Sequence, residues 1–260
     1  MTKTVTSKDN PVLKSARKLL TRKGREEAGA FLLEGRKLIE EAISAGFDIE
    51  CVFVDAGARL RGETAEEWPN EIVLEEKLFH TLAQTVTPQP CIAVARRRDM
   101  NPADPACVLI LDRIGDPGNV GTMIRTALAS GMNEVWCVKG TADVFSDKAI
   151  RASAGAILHL PVREGLSAMD CISSVRSMGA MLVVCEAGGK NLYEARLENR
   201  IAIVIGSEGA GPQPEFVSAA DAVVGIPMTE TSESLNAATA AAIVMYEALR
   251  RRTSPGDQCT

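Results

Sequence analysis

In the second half of the chain, apolar positions fall in short unbroken runs separated by polar, glycine-bearing loops. Residues 107–111, 134–138 (apolar from Val135 on), 180–185, 201–205 and 222–224 are such runs. Little polar alternation interrupts them, as expected of strands covered on both faces. Helical periodicity falls between and after them, over 119–130, 147–154, 166–178 and 235–250, and a further short strand is predicted at 157–162. Pro227 has no N–H to give a ladder, so the last strand should stop near Ile226. Ser234 is placed to cap the final helix. That helix opens with a block of alanines (237, 238, 240, 241 and 242) that favours helix and lets another backbone approach closely. Strands alternating with helices predict an α/β fold with a mostly parallel sheet covered by helices on both sides.

The first half repeats the pattern on a smaller scale. Strands are predicted at 30–34, 49–55, 71–74 and 91–95, and helices at 35–45 and 75–83. A helix over 11–23 starts with Asn10 as cap and Pro11 at its first position. Lys14, Arg17, Lys18, Arg22 and Arg25 share one side of it; Val12, Ala16, Leu19 and Leu20 fall largely on the other. These boundaries divide the chain into an α/β unit over 1–100, a proline-bearing linker at 101–106, a second unit over 107–252 and a flexible polar tail at 253–260.

Charge sharpens the picture. The 260 residues carry a net charge of −5. Residues 1–37, however, hold ten basic and four acidic side chains, a local +6 against −11 elsewhere. The basic face reads either as a solvated surface or as a phosphate-contacting one, with Arg36 and Lys37 opening the next helix nearby. Seven cysteines without a Cys-x-x-Cys pair point to reduced thiols, not to a metal or disulfide framework. The two histidines, His80 and His159, sit in apolar neighbourhoods and read as structural. No apolar run reaches the roughly 18 residues of a membrane span. Residues 1–10 lack an apolar signal core. A cytoplasmic protein without a membrane segment is expected.

Candidate chemistry sits in three loops, each beyond the carboxyl end of a strand, where open parallel sheets bind ligands. In the loop over 112–125, Asn119 is placed to cap the following helix. Small neighbours around Arg125 leave its guanidinium room to cross an open groove or to pair with a surface carboxylate. The second loop reads Ile205-Gly206-Ser207-Glu208-Gly209-Ala210-Gly211-Pro212. Its glycines permit close backbone approach to a ligand, and Glu208 can orient Arg125 or accept from a ligand. The third, 226–236, clusters Ser232, Ser234 and Asn236 at a strand-to-helix junction. Neither a dinucleotide fingerprint nor a Walker loop is present.

Asn-Val-Gly-Thr-Met-Ile-Arg-Thr-Ala (119–127), Ile-Gly-Ser-Glu-Gly-Ala-Gly (205–211) and Ile-Pro-Met with Ser-Leu-Asn-Ala-Ala-Thr-Ala-Ala (226–241) resemble the three ordered motifs of the SpoU/TrmH family of RNA ribose 2′-O-methyltransferases. Ser-Lys-Asp-Asn-Pro (7–11), Phe-Leu-Leu-Glu-Gly (31–35) and Thr-Pro-Gln-Pro (87–90) resemble that family's RNA-binding accessory domain, a smaller α/β domain similar to ribosomal-protein folds. The resemblance implies a SPOUT α/β-knot with a deep C-terminal trefoil knot, a homodimer through the knotted domain, and S-adenosylmethionine as cofactor. It implies RNA as substrate, with rRNA favoured over tRNA because the accessory domain resembles the rRNA-modifying branch. Carried over residue by residue, it assigns Asn119, Arg125, Glu208, Ser234 and Asn236 to catalysis and RNA positioning. It assigns Ile205, Gly206, Ile226, Met228, Leu235 and Glu186 to the cofactor, and Lys14, Arg17, Lys18, Arg22, Arg25 and Arg36 to RNA. No metal is implied. Two other classes stand beside it: a non-catalytic RNA-binding protein on the same scaffold, and a nucleotide-dependent small-molecule enzyme. Cofactor binding separates the first from the lead reading. The missing phosphate fingerprints and the basic accessory domain weigh against the second.

Overall fold

The structure is a computed structural model and describes residues 3–64, 68, 70–100, 105–229 and 234–253. Most of the linker expected at 101–106 and nearly all of the tail expected at 253–260 lie outside the described residues, as does Ser232. Contacts divide the chain into two units, one running to Asp99 and including Phe145–Ile150, the other formed by Met100–Val144 and the residues from Arg151 onward.

The first unit holds β1 (Lys3–Val5), α1 (Pro11–Lys18), α2 (Arg22–Ala28), β2 (Ala30–Glu34), α3 (Arg36–Ser44), β3 (Ile49–Asp55), α4 (Ala56–Leu60), β4 (Glu71–Leu74), α5 (Glu76–Phe79) and β5 (Cys91–Arg96). Its sheet runs β1-β4-β3-β5-β2, with β5 antiparallel to both β2 and β3 and the other pairs parallel. Leu13, Phe53, Leu74 and Phe79 are among the side chains of its core. The helix predicted over 11–23 is two helices. Asn10 caps the first, and Thr21 caps the second by accepting from Gly24 N–H. The buried face of the first helix is also rotated from the expected one: Val12 is exposed, while Leu13, Ala16 and Leu19 are buried.

The second unit holds β6 (Cys107–Asp112), α6 (Pro117–Ala129), β7 (Glu134–Val138), α7 (Asp147–Ser153, begun in the first unit), β8 (Val162–Leu166), α8 (Ala168–Ser177), β9 (Met181–Asn191), β10 (Ile201–Gly206), α9 (Pro214–Ala219), β11 (Ala222–Gly225) and α10 (Ala237–Thr253). All its strand pairs are parallel, in the order β11-β9-β10-β6-β7-β8. Every residue of β6 and β7 is buried, which is why those stretches lack alternation. The strand expected at 157–162 lies later, at Val162–Leu166, because residues 156–158 form a single 3₁₀ turn after Gly155, whose φ is 86°. In β9 the pairing to β11 passes from Val184–Val223 directly to Lys190–Val224, so residues 185–189 leave the ladder. Two glycines permit the close return. A Cβ on Gly189 would lie 2.6 Å from Val224 C, and one on Gly225 would lie 3.0 Å from Gly189 O.

The six cysteines among the described residues form no disulfide, and burial pushes the thiols of Cys51 and Cys171 up to about 12. Both histidines lie exposed, and His80 stands 3.8 Å from Glu76. Among the described residues, no helix is long and apolar enough to cross a membrane.

Glu247, 6% exposed on α10, accepts from Arg250 Nε (2.8 Å) and Arg251 Nε (2.7 Å). Arg251 also donates to Tyr193 O at 2.9 Å, tying the helix to the chain beyond β9. The Arg250 guanidinium, seconded by Arg251, holds the Glu247 carboxyl below its ordinary 4.5. A depressed carboxyl stabilises the fold above its unfolded value and loses that contribution as pH falls through the folded one. Glu247→Gln should therefore unfold at lower urea concentration at pH 7, with the gap to the parent narrowing as pH falls below 4.5.

Candidate active site

β6 delivers its chain to Asp112, whose carboxylate is fully buried. Buried charge needs donors, and three are present. Gln213 gives its backbone N–H and its side-chain amide, each at 2.6 Å, and Arg113 gives Nε at 3.1 Å. Arg113 adopts a φ of 59°, in the left-handed region that a side chain disfavours. Its guanidinium also donates to Gly211 O at 3.3 Å. Together these bonds fasten the loop after β10 to the end of β6. Sequence reasoning missed Asp112; the available signal was an acid closing an otherwise fully apolar strand.

The next turn corrects a predicted cap. Asp116, not Asn119, caps α6: its Oδ2 accepts from Asn119 N–H at 3.1 Å, with Pro117 pre-set at the first helical position. Asn119's amide is thereby released for other work. It donates to Glu208 Oε1 and accepts from Asn236 Nδ2 at 3.2 Å. Asn236 Nδ2 also lies 3.4 Å from Glu208 Oε1. On its other side Asn236 Oδ1 accepts from Ala238 N–H (2.9 Å) and Thr239 N–H (3.3 Å), so Asn236 caps α10 in place of Ser234. One residue from each of the three loops thus meets in a single network. Glu208 bonds to the two asparagines and not to Arg125. Arg125 stands exposed on α6 with no hydrogen-bond or ion-pair partner among the described residues.

Beside this network lies a cavity of 330 Å³, within the range of small-molecule sites. Ile205, Gly206, Ile226, Met228, Leu235 and Glu186, the residues singled out for a cofactor, all line it, as do Glu208 and Ser234. Asn119, Arg125 and Asn236 are not part of its lining. The excursion of β9 contributes Cys185, Glu186 and Ala187. Burial pushes the Cys185 thiol up to about 11, so it stays protonated and unreactive at neutral pH. A Cβ on Gly206 would fall 2.1 Å from Pro212 N, so glycine alone permits the backbone crossing that forms one wall. Among the described residues, the lining is largely apolar with two carboxylates and holds no lysine or arginine. That donor set suits a neutral ring and a positively charged group, and is ill suited to phosphate.

Of the basic residues assigned to RNA, Lys14, Lys18, Arg22 and Arg36 are exposed and Arg17 half-buried. Lys14 pairs with Asp9 at 2.9 Å, Arg22 with Glu26 at 2.8 Å and Arg36 with Glu40 at 2.7 Å, while Arg17 donates to Thr81 Oγ1 at 2.7 Å. Arg25 does not share their face. It is 5% exposed and donates to Leu19 O at 2.6 Å, because the second helix turns it inward.

Asp112→Asn keeps the shape but turns one acceptor into a donor facing the Gln213 donors. The mismatch should destabilise the protein by about 1–3 kcal/mol and, by loosening the glycine loop, weaken cofactor binding. Thermal unfolding and calorimetric titration of S-adenosylmethionine check the two effects.

A family model described as the SpoU rRNA Methylase family matches residues 106–246, and a model described as the MRM3-like substrate binding domain matches residues 10–93. A similar curated protein is the 23S rRNA (guanosine(2553)-2′-O)-methyltransferase RlmP of Bacillus subtilis, 32% identical, with the alignment covering 94% of this chain and 98% of the relative. Among solved structures, an AdoMet-bound rRNA methyltransferase from Sinorhizobium meliloti superposes with a TM-score of 0.84 at 29% identity, covering 97% of this chain and 99% of that one. The SpoU methyltransferase AviRb from Streptomyces viridochromogenes, in complex with AdoMet, gives a TM-score of 0.84 at 28% identity over 94% of this chain and 99% of its own. Two folded units, a three-loop polar network and matches spanning both units agree: this chain belongs to the SpoU rRNA methylase family.

Proposed function

We propose that this protein transfers a methyl group from S-adenosylmethionine to a ribose 2′-hydroxyl of RNA, and that the RNA is ribosomal. The observation that carries the reading is the meeting of Asn119, Glu208 and Asn236 beside a cavity whose lining matches the donor's chemistry. Apolar Ile205, Ile226 and Leu235 suit an adenine ring, and the carboxylates of Glu186 and Glu208 suit the positive charge of the donor's sulfonium and ammonium groups. Backbone groups near Gly206, Ile226 and Leu235 hold the donor, with Met228 close by. The bound donor supplies the methyl group itself. The chain's task is to bring the hydroxyl oxygen in line with that methyl, about 3–3.5 Å away, and to let its proton leave.

Positioning falls to the polar network. Asn119 and Asn236 hold the Glu208 carboxylate in one orientation, and Ser234 at the cavity wall adds a hydroxyl. Arg125 extends from α6 with its five donors uncommitted among the described residues, which suits it to grip the target phosphate or hydroxyl. A guanidinium stays protonated throughout and does not accept a proton, so the proton passes to water or a polar neighbour. Lys14, Arg17, Lys18, Arg22 and Arg36 on the first unit contact the RNA backbone. The protein acts as a cytoplasmic homodimer through the second unit, whose chain threads a C-terminal trefoil knot. The close backbone approaches at Gly206 and Gly189, and the packing of α10 against α6, support such a crossing.

Incubating the protein with labelled S-adenosylmethionine and rRNA, then mapping ribose methylation, tests the reading. Incorporation at a 2′-hydroxyl is expected; cofactor binding without methylation of any RNA would favour the non-catalytic alternative. Arg125→Ala should lower turnover by at least 100-fold, about 2.7 kcal/mol of transition-state stabilisation. Arg125→Lys should recover little of it, because an ammonium cannot reproduce a bidentate fork. Near-normal turnover in the Lys variant, measured beside RNA binding, would remove the guanidinium's special role.

A further inference from the structure

The first unit has a cavity of its own. Its strands β2 and β3 end where β5 begins, since Glu34 pairs with Ile92 and Val54 with Cys91, and β4 ends beside them with Leu74 opposite Asp55. Beyond these carboxyl ends lies a cavity of 210 Å³ whose walls include Asp55, Phe79, His80, Pro88, Gln89 and Pro90.

Asp55 is 9% exposed. Its Oδ1 caps α4 by accepting from Ala58 N–H at 2.7 Å. Its Oδ2 is buried and has no partner among the described residues. A buried carboxylate oxygen without a donor is costly to keep, and Asp55 is one of the residues that line a cavity at the carboxyl ends of these strands.

The remaining walls say what kind of donor fits. Pro88 and Pro90 give flat apolar flanks, Phe79 a buried apolar wall, and the exposed His80 imidazole a ring at the rim. The loop that carries the prolines is fixed from the sheet side. Glu34 accepts from Thr85 Oγ1 at 2.5 Å and from Gln89 N–H at 3.0 Å. Arg61 is neutralised by Glu63 at 2.6 Å, so Asp55 and Glu76 leave the cavity negative. Phosphate is repelled there. A neutral flat ring with an N–H donor is not, and unpaired RNA bases stack on such rings and present that edge.

We propose that this cavity receives one unpaired base of the RNA substrate, of the class that carries a ring N–H, guanine or uracil. Asp55 Oδ2 accepts that N–H, and the exposed Gln89 amide is available to the neighbouring keto oxygen. Adenine and cytosine present a ring acceptor at the corresponding position and face the carboxylate unfavourably. This site deepens the proposed function and rests on the reading of the first unit as the part that binds RNA.

The test uses the full chain and labelled single-stranded oligomers of uridine, adenosine and N3-methyluridine, with affinity read by fluorescence anisotropy. Oligo(U) is expected to bind roughly tenfold or more tightly than its N3-methylated form, the effect of one hydrogen bond to a charged group. Asp55→Asn keeps the cap on α4 while replacing the free acceptor by a donor, and should abolish that preference. His80→Ala should weaken oligo(U) more than oligo(A), because adenine does not enter the cavity; equal weakening of both would count against the pocket. Equal binding of uridine and N3-methyluridine oligomers by the parent protein would overturn the proposal, and needs no variant to fold. A preference that survives in Asp55→Asn would overturn it equally. Failure of every oligomer and of rRNA to bind would instead remove the RNA-binding reading of this unit and the base pocket with it.

Discussion

The hydrogen bonds that join Asn119, Glu208 and Asn236 are the constraint on which the second unit's site depends. Their sequence separations are large: α6, the loop after β10 and the start of α10 have no local reason to meet. Each asparagine spends a different part of its amide. Asn119 gives its backbone N–H to Asp116 and keeps its side chain for the network. Asn236 gives its oxygen to the first N–H groups of α10 and its nitrogen to the network. The last helix is therefore positioned by the same residue that completes the site. Without a carboxylate at 208, the Asn119 amide N–H would lose its acceptor, and the single bond from Asn236 to Asn119 would be left to join the two loops.

Backbone packing makes that meeting possible. The loop after β10 doubles back so tightly that Gly206 has no room for a Cβ against Pro212, and Asp112 holds the far end of the loop from beneath. Across the sheet, β9 leaves its ladder over residues 185–189 and returns against β11 at a second glycine contact. Both departures from regular structure border the same cavity. Irregular backbone here makes the binding surface, while the fully buried strands β6 and β7 supply the rigid frame.

Much of this was legible in the chain. Unbroken apolar runs located β6, β7, β10 and β11 to within a residue, and the glycine-rich loops beyond two of them marked the site. The residues singled out for a cofactor do line one cavity. Local capping was harder to read, because several residues near each helix start qualify. Asp116 outcompetes Asn119 through the adjacent Pro117, and Asn236 outcompetes Ser234 by being nearer the first free N–H groups. The basic residues suggest one helix over 11–23 because their charges recur at helical spacing. Thr21 interrupts it, and Arg25 turns inward as a result. Asp112 offered one signal, an acid closing an apolar strand, while the importance of Asp55 lies in burial that a single sequence does not display.

A crystal structure of the protein with S-adenosylmethionine or its demethylated product tests the central claim most directly. The ligand's adenine is expected against Ile205, Ile226 and Leu235, with its sulfur centre facing the side of the cavity where Asn119, Glu208 and Asn236 join. A ligand lodged elsewhere on the chain, with that cavity empty, would contradict it.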